Sequence, residues 1–330
     1  MEQKFKYMVY VSCMTFNQSS YIKNALDGFC SQKTTLPYIC GVIDDASTDG
    51  EQEILKRYLE TNFELEINKG AKFEETDDYN LIFAQHKVNL NCYFVVILLK
   101  YNHYKLKKTK LPYFRRWRDN AKYFAMCEGD DYWIHPQKLQ IQFDYMESNP
   151  KCGLIRTNID VYYQNENRFE KEYFSHDYRL KQEDTLDFYI MYGWYAAPCT
   201  WFYRYGIEVD KVLASNKKCM IGGDISRILS ILDAGYYIHY LPIVTAVYRV
   251  LSESTSHFTN PRKRYLFYEK NKRTRLHYAR GKNWWFKIRF IFLNAIVARP
   301  LTMKSWTIAP LWFYDSFIKD VYYIFRKREF

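Results

Sequence analysis

Three carboxylates lie within four residues of one another, at Glu128, Asp130 and Asp131. The residues before them, 121–126, are aromatic and apolar and predict a buried strand, while Pro136 and the polar-then-apolar residues after it predict the start of a helix. The carboxylates are therefore expected at a strand end. Like charges this close repel one another, and a divalent cation with oxygen ligands, usually shared with a phosphate, would hold them ionised. A solvated acidic turn is the alternative that these residues leave open.

The first sixty residues alternate between strand and helix patterns. Residues 7–14 and 38–43 are β-branched and aromatic and predict strands. Each is followed by a polar turn and then by apolar side chains at helical spacing, to about residue 31 and over 54–59. This order predicts a βαβ unit and a parallel sheet. Later in the chain, strands are predicted over 93–99, 152–163 and 198–203, two short strands around Pro242, and a loop over 165–184.

Three of the predicted strands end in polar turns. In parallel sheets ligands bind outside the carboxyl ends of the strands, so we expect these turns to meet along one edge. Taken singly, each acidic turn also fits an ordinary helix start, where the helix dipole favours acids, and an aromatic ring there also fits the core. The turns contain Phe16 and Asn17, Asp44 and Asp45, and Asp130 and Asp131.

The chain resembles glycosyltransferase family 2, the inverting nucleotide-sugar transferases with the GT-A fold, of the bacterial surface-polysaccharide type. The resemblance covers residues 7 to 150 and depends on the order and spacing of three motifs. These are Val11-Ser-Cys-Met-Thr-Phe-Asn-Gln, Ile43-Asp-Asp-Ala-Ser-Thr-Asp-Gly and Cys127-Glu-Gly-Asp-Asp-Tyr-Trp, the last followed by Pro136 and Lys138-Leu139.

The resemblance implies a donor site built from the first two turns. It places Phe16, with Asn17 in the same loop, against the base, and it gives nucleoside binding to Asp45 with Asp44 beside it. Family members often carry an Asn near the donor in the region that follows the next strand, and Asn102 is the candidate here. The lysines after it could neutralise a diphosphate, or they could form a solvated loop.

The resemblance also implies a divalent metal ion, Mn2+ or Mg2+, at the acidic strand end. It assigns the metal to Asp131 or Asp130, and which of these carboxylates or Glu128 contacts it stays open. Related transferases often close the site with a Tyr-Arg segment and a later Ser-His. By this analogy Arg249 would balance diphosphate charge, and His257 would complete the metal shell or contact phosphate, although a loop histidine with neither role fits as well.

Asp224 is the candidate catalytic base. Gly222-Gly223-Asp224 precedes an amphipathic helix pattern, so a helix N-cap is the local interpretation. Family 2 enzymes place a catalytic acid at a helix start in this later region, which implies that Asp224 deprotonates the acceptor hydroxyl. The chain has no Gln-x-x-Arg-Trp motif of processive synthases, so addition of a single sugar is expected.

The charge of the chain is concentrated at its C-terminal end. The formal charge is +11, and residues 262–330 hold 17 Lys and Arg against 4 Asp and Glu. Apolar and basic side chains at helical spacing over 284–296 and 311–325 predict amphipathic helices that lie on an anionic membrane surface through residues 283–330. The alternative is that they cover the rest of the protein. The nearly neutral body argues against a nucleic-acid partner.

The cysteines and the N-terminus predict a cytoplasmic protein. The 8 cysteines form no CxxC pair or Cys/His cluster and lie mostly in apolar runs, so we expect reduced core thiols. The N-terminal residues lack a signal-peptide pattern, and no apolar run reaches the roughly 18 residues of a confident transmembrane helix.

These observations predict an α/β protein with a GT-A (Rossmann-like) mixed sheet flanked by helices, and a C-terminal amphipathic helical extension. Residues 1–260 would form the catalytic domain and residues 261–330 a basic aromatic tail. The expected activity is metal-dependent, inverting transfer of one sugar, from a nucleotide-sugar such as a UDP-sugar, to a glycan or lipid-linked acceptor in cell-surface polysaccharide synthesis. It would take place on the cytoplasmic face of the inner membrane.

Two other classes compete with this prediction. A nucleotidyltransferase acting on sugar phosphates also combines an α/β sheet with acidic metal ligands, but it normally has a Gly-rich, basic loop after the first strand, unlike Thr15-Phe16-Asn17-Gln18. A non-catalytic basic protein could instead bind lipid or nucleic acid through the tail.

Overall fold

A computed structural model describes five stretches of the 330-residue chain, which form two compact units. The described stretches are 5–175, 183–193, 197–206, 223–252 and 271–297. The described parts of the first unit are 5–175, 197–206 and 239–250, and those of the second are 183–193, 223–238, 251–252 and 271–297.

The first unit contains a mixed sheet and four helices. Its strands within residues 5–175 are β1 (Tyr7–Thr15), β2 (Tyr38–Asp44), β3 (Phe63–Glu64), β4 (Lys72–Glu75), β5 (Tyr79–His86), β6 (Cys92–Leu99), β7 (Ala121–Met126), β8 (Tyr132–Trp133), β9 (Cys152–Tyr163) and β10 (Arg168–Glu170). Strand β11 (Glu183–Asp184) belongs to the second unit, β12 (Phe202–Arg204) belongs to the first, and β13 (Tyr237–Val250) belongs to the first unit from His239 onward. The helices of the first unit are α1 (Ile22–Cys30), α2 (Glu51–Asn62), α3 (Leu111–Arg118) and α4 (Lys138–Ser148). Short 3-10 turns lie at Ile67–Lys69, Gln164–Glu166 and Pro198–Thr200.

The strands of this sheet follow the order β13-β9-β12-β7-β1-β2-β6-β5-β3. The central strands β7, β1, β2 and β6 are parallel, whereas β12 pairs antiparallel with β7 and β5 pairs antiparallel with β6. All of β2 is buried, as expected for a central parallel strand covered on both faces. The strand–helix alternation of the sequence has therefore produced the predicted parallel sheet.

The register of the central strands brings their carboxyl ends to one edge of the sheet. Thr15 at the end of β1 pairs with Asp44 at the end of β2, and Asp44 pairs with Leu98 of β6. On the other side of β1, Ser12 pairs with Met126 at the end of β7. The polar turns predicted after these strands consequently lie along the same edge.

Helix α1 fixes the segment that follows the acidic turn. Gly28 faces the backbone of Trp133, and a Cβ at residue 28 would lie 2.7 Å from the Trp133 carbonyl oxygen. The rings of Phe29 and Trp133 lie 4.9 Å apart, and the Trp133 indole N–H donates to the Cys199 carbonyl at 2.8 Å. These contacts hold β8 between α1 and the 3-10 turn at Pro198–Thr200.

Some elements differ from the sequence predictions. The two short strands expected around Pro242 are one continuous strand, β13, in which Pro242, which has no N–H to donate to a neighbouring strand, is exposed. The loop expected over 165–184 includes β10, which pairs with β9. The strand expected over 198–203 is a 3-10 turn followed by the short β12. Strands β3, β4 and β5 and helix α3 were not predicted from the sequence.

The second unit contains α5 (Leu186–Tyr192), α6 (Gly223–Asp233) and α7 (Trp284–Val297), and residues 271–279 are also helical. The Arg275 guanidinium donates to the carbonyls of Ile190 and Met191 at 3.0 and 3.1 Å. The predicted domain boundary at residue 260 and the second tail helix over 311–325 lie outside the described residues and remain predictions. Among the described helices none is long and apolar enough to cross a membrane.

Lys138 is a buried lysine at the start of α4. Its ammonium donates to Gln142 Oε1 at 2.6 Å and to the Thr200 carbonyl at 3.3 Å, and it lies 4.5 Å from the centre of the Trp133 ring. Burial lowers the pKa of Lys138 to about 7 because the charged form loses its hydration. A protonated Lys138 therefore destabilises the folded state at low pH.

We expect Lys138→Met to remove a pH-dependent part of the stability. Above pH 7 Lys138 loses its proton in the folded chain. In the unfolded chain Lys138 keeps its proton up to its ordinary pKa of 10.5. The free energy of unfolding of the wild type should therefore rise with pH, by at most about 1.4 kcal/mol per pH unit relative to the variant. Urea denaturation of both proteins at pH 7 and pH 9 measures the difference.

Lys72→Met provides the matched control, because Lys72 is exposed on β4. The difference in unfolding free energy between this control and the wild type should stay constant between the two pH values. A constant difference for Lys138→Met as well would show that Lys138 does not titrate in this range.

Candidate functional site

A buried carboxylate joins the turns that follow β1 and β2. Glu51, the first residue of α2, is fully buried and accepts hydrogen bonds from the Thr15 hydroxyl, from the Gln18 backbone N–H at 2.9 Å and from the Ser47 hydroxyl at 2.9 Å. Burial raises the pKa of Glu51, although these hydrogen bonds favour the charged form. The first two turns are therefore held together by one side chain.

Asn17 shapes the first turn. Its backbone has a φ of 54°, in the left-handed region that Asn tolerates better than most residues. Its N–H donates to Ser47 Oγ at 2.9 Å, and its side-chain oxygen accepts from the Thr48 N–H at 2.8 Å. Next to it, the Phe16 ring remains 37% exposed at the edge of the sheet. Of the two predicted residues, Asn17 therefore orders the loop through its hydrogen bonds, and Phe16 presents an accessible aromatic surface.

Asp44 lies at the end of β2 and is fully buried. Its Oδ1 accepts from the Ser47 N–H at 3.0 Å and from the Gln52 side-chain amide at 2.5 Å. Within the described part of the chain, its Oδ2 has no hydrogen-bond partner. A buried carboxylate oxygen without a donor is costly, so a ligand N–H or O–H in reach of this atom would be bound favourably.

Asp45 holds the segment after β6 against the second turn. Its carboxylate accepts from the backbone N–H groups of His103 and Tyr104 at 2.7 and 3.1 Å, and it pairs with the Lys110 ammonium at 2.8 Å. The Asn102 side chain donates to the Asp45 carbonyl at 3.0 Å. Asp45 and Asn102 are therefore adjacent, and their polar atoms are engaged in ordering this loop.

The acidic turn is attached to the end of β1. The Gly129 N–H donates to the Met14 carbonyl at 3.1 Å, and the Met14 N–H donates to Glu128 Oε2 at 3.1 Å. The Glu128 carboxylate thus accepts a hydrogen bond from the strand. Asp130 and Asp131 are the carboxylates further along the turn. A side chain at residue 129 has no room, because a Cβ would lie 2.5 Å from Thr15 Oγ1 and 2.4 Å from Gln18 Oε1.

Asp130 and Asp131 form a crowded pair. Asp131 is buried, its Oδ1 accepts from the Arg249 backbone N–H at 2.9 Å, and Asp130 is half-buried. Burial raises the pKa of both carboxyls, and the Asp130 charge raises the pKa of Asp131 further. The Arg249 guanidinium acts in the opposite direction on the pKa of Asp130. A cation at this pair would favour the charged forms.

Arg249 is fixed over the backbone of the acidic turn. Its Nε donates to the Asp130 carbonyl at 2.9 Å, and its Nη1 donates to Gln164 Oε1 at 2.6 Å. The guanidinium is surrounded by three tyrosine rings whose centres lie within cation–π range. They are Tyr21 at 4.8 Å, Tyr132 at 5.3 Å and Tyr162 at 5.4 Å. The positive charge predicted for this site is therefore present, beside Asp130.

The described residues supply only part of a metal-ion ligand set. They contain no group of three or more His, Cys, Asp or Glu side chains arranged to hold a metal ion. His257, predicted as a further ligand, lies outside the described residues. Asp130 and Asp131 offer the oxygen donors that Mg2+ and Mn2+ prefer, and a diphosphate and water would have to complete the shell.

Asp224 lies in the second unit, in the first turn of α6. The sequence predicted Asp224 as the helix N-cap, but the helix begins at Gly223 and Asp224 lies within its first turn. Burial raises the pKa of Asp224, while the nearby Arg227 guanidinium lowers it. A carboxyl group with a raised pKa is better suited to accept a proton near neutral pH than an ordinary aspartate.

Two residues of the described site were not identified from the sequence. Glu51 has the local signature of an acid in the first turn of a helix, which gives no sign of its contacts with Thr15 and Gln18. Lys110 was one of several lysines in a basic segment, and its pairing with Asp45 spans 65 positions of the chain. Neither contact could be deduced from local spacing.

This mixed α/β sheet, with polar loops at the carboxyl ends of its parallel strands, defines a protein of the GT-A type. Residues 11–71 match the family model described as Glycosyl transferase family 2. The matched range contains the first two turns of the site. This match agrees with the family predicted from the three motifs and covers the first two of them.

Mycobacterial relatives match part of the chain. Uncharacterized protein Mb1547 of Mycobacterium bovis and uncharacterized protein Rv1520 of Mycobacterium tuberculosis are each 28% identical to it over 151 residues. The match covers 46% of this chain and 35% of each relative, so this chain spans about a third of the length of the curated relatives that it matches.

Solved structures share the fold over nearly the whole chain. S. aureus TarS 1–349 in complex with UDP has a TM-score of 0.54 at 14% identity, covering 95% of this chain and 81% of that one. The same TarS fragment in complex with UDP-GlcNAc has a TM-score of 0.53 at 14% identity, covering 95% and 79%. At this level of identity the likeness concerns the fold, and the predicted GT-A fold is confirmed.

We expect Gly129→Ala to destabilise the first unit by about 1–3 kcal/mol, because the added methyl group would overlap Thr15 and Gln18. Urea denaturation of the variant and the wild type measures this loss. Gly281→Ala is the control, since the nearest atom to its Cβ would be 3.9 Å away. Equal stability of the Gly129 variant and the wild type would contradict the close packing of the acidic turn on β1.

Proposed function

We propose that the protein transfers one sugar from a nucleotide-sugar donor to a hydroxyl group, with inversion at the anomeric carbon. The observation that supports this most strongly is the meeting of the turns after β1, β2 and β7 on one sheet edge, within a chain that matches glycosyl transferase family 2. An aromatic ring, a buried carboxylate and an acidic pair are the groups that a base, a nucleoside and a metal-bound diphosphate require.

The nucleoside is proposed to lie against the first two turns. Phe16 offers an exposed ring for stacking on the base. Asp44 offers a buried oxygen that has no donor within the described residues and could accept from a base N–H or a ribose hydroxyl. Asp45 acts beside it by ordering the loop that carries Asn102. A UDP-sugar is the proposed donor, supported by the UDP and UDP-GlcNAc complexes of TarS.

The diphosphate is proposed to lie at Asp130 and Asp131 with a divalent Mg2+ or Mn2+ ion. When bound, such an ion would neutralise charge that develops on the leaving nucleoside diphosphate. Asp130 is the more accessible of the two carboxylates, and the Arg249 charge beside it limits the repulsion within the pair. Asp131, buried and held by the Arg249 N–H, would fix the shape of the turn.

Asp224 is proposed as the general base. Its raised pKa suits removal of a proton from the acceptor hydroxyl as that oxygen attacks the anomeric carbon. Direct attack by the acceptor, with departure of the nucleoside diphosphate, inverts the configuration at that carbon. The acceptor is proposed to be a glycan or lipid-linked sugar of a cell-surface polysaccharide, modified one residue at a time at the cytoplasmic face of the membrane.

We expect the purified protein to release nucleoside diphosphate from one member of a panel of UDP- and GDP-sugars, and EDTA to reduce this release. Asp130→Asn should lower kcat at least about a hundredfold, because the metal ion that neutralises the diphosphate would lose a carboxylate ligand. Asp144→Asn, an exposed acid on α4, should leave the rate unchanged. A coupled assay for the nucleoside diphosphate measures each rate.

The released product separates the competing classes. Pyrophosphate formed from a nucleoside triphosphate and a sugar phosphate would indicate the nucleotidyltransferase instead. Absence of turnover with every donor, while the folded protein still binds lipid or nucleic acid, would indicate the non-catalytic alternative. Either result would overturn the proposed transfer.

We expect Asp224→Asn to lower kcat for sugar transfer by about a hundredfold or more, because an amide cannot accept the acceptor proton. The dissociation constant for the nucleotide should stay close to that of the wild type, as measured by calorimetry. Asp233→Asn, exposed at the end of the same helix, is the matched control. Unchanged transfer by the Asp224 variant would assign the base to another residue.

A further inference from the structure

Helix α7 exposes large aromatic side chains to solvent. Trp284 is 57% exposed, Trp285 is 70% exposed and Phe292 is 65% exposed. The rings of Trp284 and Trp285 lie 5.0 Å apart in an edge-to-face arrangement. Aromatic side chains on a solvent-facing surface lose hydrophobic stabilisation unless that surface is covered by a partner.

Trp285 and Phe292 lie on a face of α7 that the described residues of the second unit leave exposed. Trp285, Arg289 and Phe292 are spaced i, i+4 and i+7, which places them on one side of the helix, and all three are exposed. Phe290 and Ile291, in contrast, are buried, and the Arg275 guanidinium lies 5.5 Å from the centre of the Phe290 ring. The helix that the sequence predicted as amphipathic therefore has one packing face and one separate aromatic face.

The charge around this face is positive. Arg289 lies between Trp285 and Phe292 on the exposed side, and Lys287 is on the same helix. Residues 262–330, which include the helix, hold 17 Lys and Arg against 4 Asp and Glu. Exposed tryptophans combined with basic side chains are typical of helices that lie in the headgroup region of anionic bilayers.

We propose that α7 docks on an anionic lipid bilayer through Trp285, Arg289 and Phe292. The helix would lie parallel to the membrane plane, with Phe290 and Ile291 still packed in the second unit. The aromatic rings would enter the headgroup region, and the arginine would pair with lipid phosphates. The inference is independent of the proposed sugar transfer, because none of these residues is assigned to donor binding or to catalysis.

A vesicle flotation experiment with the full chain tests this face. We expect the wild type to float with vesicles made of equal parts phosphatidylcholine and phosphatidylglycerol, and much less with phosphatidylcholine alone. Trp285→Ser combined with Phe292→Ser should weaken binding to the anionic vesicles about tenfold or more. Arg289→Gln should weaken it less and should reduce its dependence on salt.

Matched controls come from exposed residues of the first unit. Phe73→Ser combined with Phe169→Ser removes two rings that are 49% and 44% exposed and should leave binding unchanged. Arg115→Gln, on the exposed side of α3, is the control for charge. Quenching of tryptophan fluorescence by brominated lipid should fall in Trp285→Phe if this ring enters the bilayer.

Three outcomes would overturn the proposal. The first is failure of the wild type to float with anionic vesicles. The second is flotation of the double variant to the same extent as the wild type, which would assign binding to other residues of the basic tail. The third is a wild-type dimer in light scattering that the double variant abolishes, which would assign the aromatic face to a second copy of the chain.

Discussion

The parallel register of β7, β1 and β2 is the constraint on which the candidate site depends. Pairing Thr15 with Asp44, and Ser12 with Met126, ends three strands at the same edge of the sheet. Side chains alternate between the faces of a strand, so a slip of one residue would exchange the faces of these buried strands and move the turns out of alignment. The backbone hydrogen bonds of the sheet therefore decide where the polar side chains meet.

Buried carboxylates then convert adjacent strand ends into one ordered surface. Glu51 joins the first two turns, and Asp45 attaches the segment after β6 through backbone N–H groups and Lys110. A buried acid that has lost its hydration is strongly penalised when a partner is removed. The loops are consequently tied to each other, and Phe16 and Asp44 are left with the accessible ring and the unpartnered oxygen described above.

In the second unit, helix α7 packs on one side and exposes large aromatic side chains on another. The helix uses Phe290 and Ile291 for packing and leaves Trp285 and Phe292 exposed. A helix that is apolar on two sides satisfies one side within the fold and leaves the other for a partner. Because the surrounding sequence is basic, an anionic lipid surface is the partner that we propose for this face.

The sequence by itself determined the α/β class and the parallel sheet, because strand and helix periodicity and polar strand ends are local patterns, and its three motifs carry the resemblance to glycosyltransferase family 2. It also placed Phe16 and Asp44 at the sheet edge. The tertiary structure decided which acids have partners. Asp45 contacts Lys110, and Arg249 contacts the Asp130 carbonyl 119 positions away. Such contacts depend on how distant segments are brought together by the sheet, and no local spacing encodes them.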